Sequence, residues 1–313
     1  MSTTNTESVL GQELTPSQIY DLNQSLLNEA TDVSRPLIDS LVPISHLRKE
    51  YENGSKAFVD QIDWLTEHGY THIRRARGDG DCFYRALSFA YVEKYPDLTH
   101  LSTTPNLLES VGFQRLVFED FYEVLEDLIK RVQAEPEEMR EVLMESAFQN
   151  PEVSNSIVMY MRLLTSSHLR SHAPSYEPFL FHPETGLQLD VREFCEGWVE
   201  ATGREADHVQ ITALSRALLI DVDVAYLDGR VRSSEEKVEF VKLRPREDPE
   251  FAPPATTTEA TETTIKTPTE PIVLLYRPGH YDILVQGEKE KERGVQEGEG
   301  QAAEEAQAHE EKK

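Results

Sequence analysis

The run Arg77-Gly78-Asp79-Gly80-Asp81-Cys82-Phe83-Tyr84-Arg85-Ala86-Leu87 places a cysteine where a glycine-bearing turn enters an apolar-periodic segment. That setting suits nucleophilic chemistry. Cys82 stands at the start of a predicted helix, where unpaired backbone N–H groups and the positive end of the helix dipole favour an anion. The thiolate is the form of cysteine that attacks a carbonyl. The backbone N–H groups of Asp79, Gly80, Asp81 and Cys82 are candidates to hold the oxyanion of a tetrahedral intermediate. Gly78 and Gly80 allow backbone angles closed to other residues and let a substrate approach closely. Asp79 and Asp81 work against a thiolate, so the site needs a basic partner. The chain has 2 cysteines. The other, Cys195, lies in Glu193-Phe194-Cys195-Glu196-Gly197-Trp198 with no glycine turn before it, and reads as a packing residue.

Of the 10 histidines, His280 has the setting of a general base. It follows Arg277-Pro278-Gly279 and opens the alternating run His280-Tyr281-Asp282-Ile283-Leu284-Val285. Residues i and i+2 of a strand face the same side, so His280 and Asp282 point together and Tyr281 points away. A carboxylate behind an imidazole fixes its tautomer and stabilises the imidazolium, leaving the second nitrogen to take a thiol proton. The remaining histidines have blander settings: His208 precedes an apolar run, His168, His172 and His182 fall in an expected loop region, and His309 is near the C-terminus. No cysteine or histidine pair near Cys82 has the short spacing of a zinc site, so neither metal nor cofactor is expected. The chemistry implied is acyl transfer through a thioester.

These residues need a scaffold that joins two distant stretches. Leu41, Ile44, Leu47 and Tyr51 recur at helical spacing, as do Phe58, Ile62 and Leu65. Tyr70–Arg75 reads as a short strand. Cys82 to Tyr95 reads as a helix with Phe83, Ala86, Leu87, Ala90 and Tyr91 on one apolar face, closed by Pro96. Two or three helices are expected over 113–147 with a break at Pro136, then helices over 154–168, 190–201 and 207–219. The period then changes to alternation at 221–227, 237–243, 272–276 and 281–285, with a type II Pro-Gly turn between the last two. Helices first and a small antiparallel sheet after them make an α+β plan.

The chain has 313 residues, with a 38% hydrophobic share that suits a globular core. Its formal net charge of -26 repels phosphate backbones and disfavours a nucleic-acid role. No apolar run is long enough to span a bilayer, and the first residues do not read as a secretory signal. With so few cysteines, a reducing compartment is expected: the cytoplasm, with the nucleus also open. Residues 1–35 read as a disordered tail, 36–287 as one catalytic domain, 245–270 as a disordered Pro/Thr-rich insertion within it, and 288–313 as an acidic disordered tail.

The segment Gly78 to Leu87 closely resembles the nucleophile motif of the ovarian-tumour class of deubiquitinases. Leu275-Tyr276-Arg277-Pro278-Gly279-His280-Tyr281-Asp282-Ile283-Leu284 is similar to the histidine motif of its otubain branch. Tyr160-Met161-Arg162-Leu163-Leu164-Thr165-Ser166 and Asp207-His208-Val209-Gln210-Ile211-Thr212-Ala213-Leu214 also resemble otubain segments, in the same order. The resemblance covers about Leu41 to Val285. It implies a papain-like α+β cysteine protease fold, with a helical lobe packed on the sheet. The implied activity is cleavage after the C-terminal glycine of ubiquitin in polyubiquitin and other conjugates. By the same resemblance Cys82 is the nucleophile, His280 the base, Asp282 the orienting acid, and Asp79 a motif aspartate in the loop that helps form the oxyanion hole. The sequence departs from the family at Asp81, where Asn is more usual. Two rival readings stay open: a non-catalytic binder that restrains ubiquitin-conjugating enzymes, and a protease for another ubiquitin-like modifier.

Overall fold

The structure is a computed structural model that describes residues 34–52, 54–95, 98–230, 232, 236–247 and 270–287. Most of the two expected tails and of the expected insertion lies outside the described residues.

The chain opens with the short strand β1 (Val42–Pro43) and two helices, α1 (Ser45–Tyr51) and α2 (Lys56–Glu67), followed by β2 (Tyr70–Arg74). The periodicity that starts at Leu41 therefore becomes helical only after Pro43. The helical lobe comprises α3 (Cys82–Lys94), α4 (Leu98–Leu101), α5 (Thr104–Ser110), α6 (Arg115–Ala134), α7 (Glu137–Gln149), α8 (Pro151–Ser171) and α9 (Ala173–Tyr176). The expected helix over 190–201 is one α turn, α10 (Val191–Phe194), running into a π turn at Cys195–Val199. α11 (His208–Leu218) precedes β3 (Val222–Tyr226), β4 (Glu239–Leu243), β5 (Ile272–Arg277) and β6 (His280–Gln286).

Local chemistry sets the boundaries. α6 buries Phe118, Tyr122, Leu125, Leu128, Ile129 and Val132, a stripe at i, i+3 and i+4 spacing. Pro136 separates it from α7. Asn150 caps α8 by accepting a hydrogen bond from Glu152 N at 2.9 Å, and Pro151 fills the first helical position, where its missing donor costs nothing. Asp207 and Gln210 form a capping box at α11.

The six strands form one sheet in the order β1-β2-β6-β5-β3-β4. It is mixed, which corrects the expectation of a purely antiparallel sheet: β3 and β5 run parallel, and every other pair is antiparallel. The reason is the path of the chain. β4 folds back along the outer side of β3, and β5 then enters on the inner side, so it opposes β4 but matches β3 in direction.

Each face of the sheet carries its own core. Tyr281 and Ile283 join Val222, Val224, Ile272 and Leu274 against α3 and α8. Leu284 joins Ala225, Leu275 and the α1–α2 residues Leu47, Tyr51, Phe58 and Ile62 on the opposite face. α3 is buried continuously from Cys82 to Val92, more than the single apolar face its pattern suggests. Inside it Arg85 donates to Ser154 and Asp79, and Ser88 donates to the Tyr84 carbonyl.

Candidate active site

The nucleophile loop and the hairpin β5–β6 meet at the start of α3. In the hairpin register Arg277 lies opposite His280, and Leu275 opposite Asp282. Opposed residues share a face, so Arg277, His280 and Asp282 project to one side. Gly279 has φ 76, the left-handed angle that the third position of a type II turn requires. Cys82, His280 and Asp282 are all buried.

Asp282 holds His280. Its Oδ1 accepts from His280 Nε2 at 2.9 Å and from Ala76 N at 3.2 Å, and its Oδ2 accepts from Arg277 Nη2 at 2.7 Å. Burial pushes the Asp282 carboxyl up, but Arg277, His280 and more distantly Arg75 outweigh it and hold the group far below the usual carboxylate range. An ionised Asp282 only accepts, so Nε2 carries a proton. Nδ1 of His280 is buried without a conventional hydrogen-bond partner, and Cys82 is the other group acting on the ring. Burial pushes the imidazole down. The negative charges of Asp282 and Cys82 oppose that and raise it to about 9. The ring therefore favours its charged form, with Nδ1 as the nitrogen placed to take the proton that leaves Cys82.

Arg277 is itself buried, and although burial lowers its pKa, Asp282, Tyr51 and Glu50 raise it further. Its Nη1 lies 3.9 Å from Glu50, which also pairs with Arg75. A chain of alternating charge thus runs from the back of the sheet to the imidazole.

The loop before Cys82 is organised by its two aspartates, and neither touches His280. Asp79 Oδ1 accepts from Asp81 N at 3.0 Å, and Asp79 Oδ2 accepts from Arg85 Nη2 at 2.8 Å. Asp81 Oδ1 accepts from Arg162 Nε at 2.9 Å and from Gly203 N at 3.1 Å. Arg85 and Arg162 are both fully buried. Among the four candidate oxyanion donors, two are already bonded. Asp79 N donates to Arg77 O at 2.9 Å and Asp81 N to Asp79, so both are committed. The N–H groups of Gly80 and Cys82 are uncommitted among the described residues.

A cavity of about 480 Å³ opens beside Cys82, lined among others by Trp198, Glu205, Tyr226, Tyr276, Gly279 and Tyr281. Burial raises the Glu205 carboxyl, and the charge of His280 lowers it, so the two groups sense each other. Among the described residues no cluster of metal-ligating side chains is present.

Sequence reasoning missed Arg85, Arg162, Arg277 and Glu205. The arginines left a signal: each interrupts an apolar stretch with a charge that must find a partner once buried. Glu205 left none. His168, expected in a loop, is inside α8 and buried, and burial holds its imidazole down to about 3. Cys195 packs in a separate cluster, and burial pushes its thiol up to about 11.

The chain is similar to known proteins over most of its length. The model of the family Peptidase C65 Otubain matches residues 30–286. The ovarian tumour domain-containing deubiquitinating enzyme 1 of Arabidopsis thaliana is 34% identical over 280 residues, covering 84% of this chain and 85% of the relative. The ubiquitin thioesterase OTUB1 of Homo sapiens is 31% identical over 269 residues, covering 83% and 87%. A solved complex of ceOTUB1 with ubiquitin aldehyde and UBC13~Ub superposes with a TM-score of 0.65 at 27% identity, covering 85% of this chain and 98% of that one. A matched span from residue 30 to residue 286 takes in the nucleophile loop, α8, the hairpin and every strand between them, and on that extent the chain belongs to the peptidase C65 otubain family.

Proposed function

We propose that this chain is a deubiquitinating cysteine protease that hydrolyses the isopeptide bond after the C-terminal glycine of ubiquitin, with Cys82 as nucleophile, His280 as base and acid, and Asp282 as the orienting carboxylate. The observation that carries it is the interaction of Cys82 with His280, 198 positions apart in sequence, with Asp282 2.9 Å behind the ring and a cavity beside Cys82.

The proton of Cys82 passes to His280 Nδ1, which the charge of Asp282 favours. The thiolate adds to the glycine carbonyl, and the oxygen that gains the electron pair is met by the N–H groups of Gly80 and Cys82. As the C–N bond breaks, His280 gives its proton to the departing lysine amine. Water then attacks the thioester with His280 as base, releasing the ubiquitin carboxylate and restoring the thiol.

The test is a ubiquitin probe carrying a C-terminal electrophile, followed by mass spectrometry. A single adduct on Cys82 is expected. An adduct on Cys195, or none, refutes the assignment. Cys82→Ala abolishes hydrolysis and keeps ubiquitin binding, and residual turnover by that variant excludes Cys82 as nucleophile.

The similar solved structures also contain the conjugates UBC13~Ub and UBCH5B~Ub, which favours a second, non-catalytic role in binding conjugating enzymes. Suppression of ubiquitin conjugation that survives Cys82→Ala is its signature. Both described cysteines are free thiols, and a reducing compartment such as the cytoplasm suits a nucleophile that must stay reduced. Imaging of the tagged protein checks that placement.

A further inference from the structure

The peptide between Gly80 and Asp81 is gripped on both edges. Its N–H donates to Asp79 Oδ1 at 3.0 Å, and its carbonyl accepts from Arg162 Nη2 at 3.1 Å. This is the peptide that lies between the two uncommitted N–H groups, those of Gly80 and Cys82. Rotating it would swing the Gly80 carbonyl toward the place those donors occupy. Gly80 sits at φ +81, and a Cβ there would come within 2.3 Å of Gly203 O, so the loop is also pressed against the cavity wall.

Arg162 reaches that wall as well. Its Nη1 donates to Val199 O at 2.9 Å and its Nη2 to Arg204 O at 2.7 Å, while its Nε and Nη2 hold Asp81. Its guanidinium carbon lies 4.3 Å from the Tyr84 ring centroid. One buried side chain from the middle of α8 thus ties the nucleophile loop to the segment 199–204 that walls the cavity. Only a planar, multiply donating cation can span these acceptors at once, and a lysine cannot.

We infer that Arg162 is a positioning residue that holds the Gly80–Asp81 peptide in the orientation the oxyanion requires. The inference rests on the reading of Cys82 as the nucleophile of a ubiquitin-directed protease. Arg162 does not touch the reacting atoms. Its effect therefore falls on the tetrahedral state, whose oxygen needs those donors, and not on ubiquitin binding or on the bare thiol.

Removing Arg162 alone would leave the Asp81 charge buried and unpaired, which threatens the fold. The comparison is therefore made in the Asp81→Asn background, with Asp81→Asn as reference and Asp81→Asn/Arg162→Met as the test protein. Three quantities are measured in both: kcat and KM on a fluorogenic ubiquitin amide, the inhibition constant of ubiquitin aldehyde, and the rate of Cys82 alkylation by iodoacetamide. The aldehyde forms a tetrahedral adduct whose oxygen needs the donors, whereas alkylation forms none. The expected result is a loss of order 10²-fold in kcat, matched by aldehyde affinity, with KM and alkylation within about threefold. Equal aldehyde affinity in the two proteins overturns the inference alone, as does a parallel fall in alkylation and aldehyde affinity. If the unsubstituted protein binds no aldehyde, the protease reading fails and the inference fails with it.

Discussion

Asp282→Asn keeps the size of the side chain, removes its charge and reverses the hydrogen bond that orients His280. The carboxylate now accepts from His280 and Ala76 on one oxygen and from Arg277 on the other. An amide has one accepting and one donating end. Arg277 and Ala76 N can only donate, and the charged, closer Arg277 is the stronger donor, so the amide oxygen turns to it and the NH2 group faces His280. Nε2 must then accept, and the neutral ring carries its proton on Nδ1, toward Cys82, where an acceptor is needed. The loss of charge has a second effect. Burial is the largest influence on His280 and lowers it, and Asp282 is the main group opposing it. An opposite charge at this range is worth roughly 1–3 pK units. In the wild type, kcat/KM falls as pH rises through about 9, because His280 loses the proton that the leaving amine needs. In Asp282→Asn that alkaline limb moves down by roughly 1–3 units, and kcat at neutral pH drops by about 10²–10⁴. A fluorogenic ubiquitin amide assayed from acid to alkaline pH reads both, and circular dichroism confirms that the variant is folded. An unmoved alkaline limb with near-normal kcat refutes the reasoning, since Asp282 would then neither charge nor orient the ring.

Stability should track the same proton. His280 is raised from an unfolded value of about 6.5, so its contribution is complete below that pH and is lost as pH rises through about 9. The loss is of order 3 kcal/mol, seen as a falling urea midpoint across that window, and Asp282→Asn flattens it. On the acid side the lowered Asp282 stabilises the fold above the unfolded aspartate value of about 3.9, and that share is lost as pH falls further. Gly80→Ala places a Cβ against the Gly203 carbonyl at a positive φ, so the loop must move. A strain of about 1–3 kcal/mol and a large loss of kcat are expected, read by thermal melting and by turnover.

What the sequence disclosed, and what it hid, divides along a physical line. The pairing of His280 with Asp282 was legible because alternation in a strand is a strict geometric rule, and the β6 residues obey it: Tyr281 and Ile283 join one core, Leu284 the other. The turn at Pro278-Gly279 was legible because few residues tolerate its angles. The parallel pairing of β3 with β5 was not, since alternation tells which face a residue takes and nothing of a strand's neighbour. The oxyanion donors were legible only in part. The loop could be located from its glycines, but which N–H groups remained uncommitted depended on where the Asp79 side chain folded. The arginines left a signal as charges inside apolar stretches, but the partner of Arg162 was hidden, since Asp81 lies 81 positions away.

Those arginines bear on the two aspartates of the loop before Cys82. Asp79 is met by Arg85, Asp81 by Arg162 and Asp282 by Arg277, at 2.8, 2.9 and 2.7 Å. Each guanidinium is buried or nearly so. In a poorly solvated interior such pairs are close to neutral at the distance of Cys82, so the excess negative charge of the chain does not reach the sulfur at full strength. The departure at Asp81 then has a physical sense. With Asn there, the amide oxygen would still accept from Arg162, but the guanidinium would lose this counter-ion. Asp81 supplies the counter-ion, and Arg162 cancels the charge that Asp81 adds. An acidic residue beside Cys82 is compatible with the proposed role of that cysteine because it arrives with its own cation.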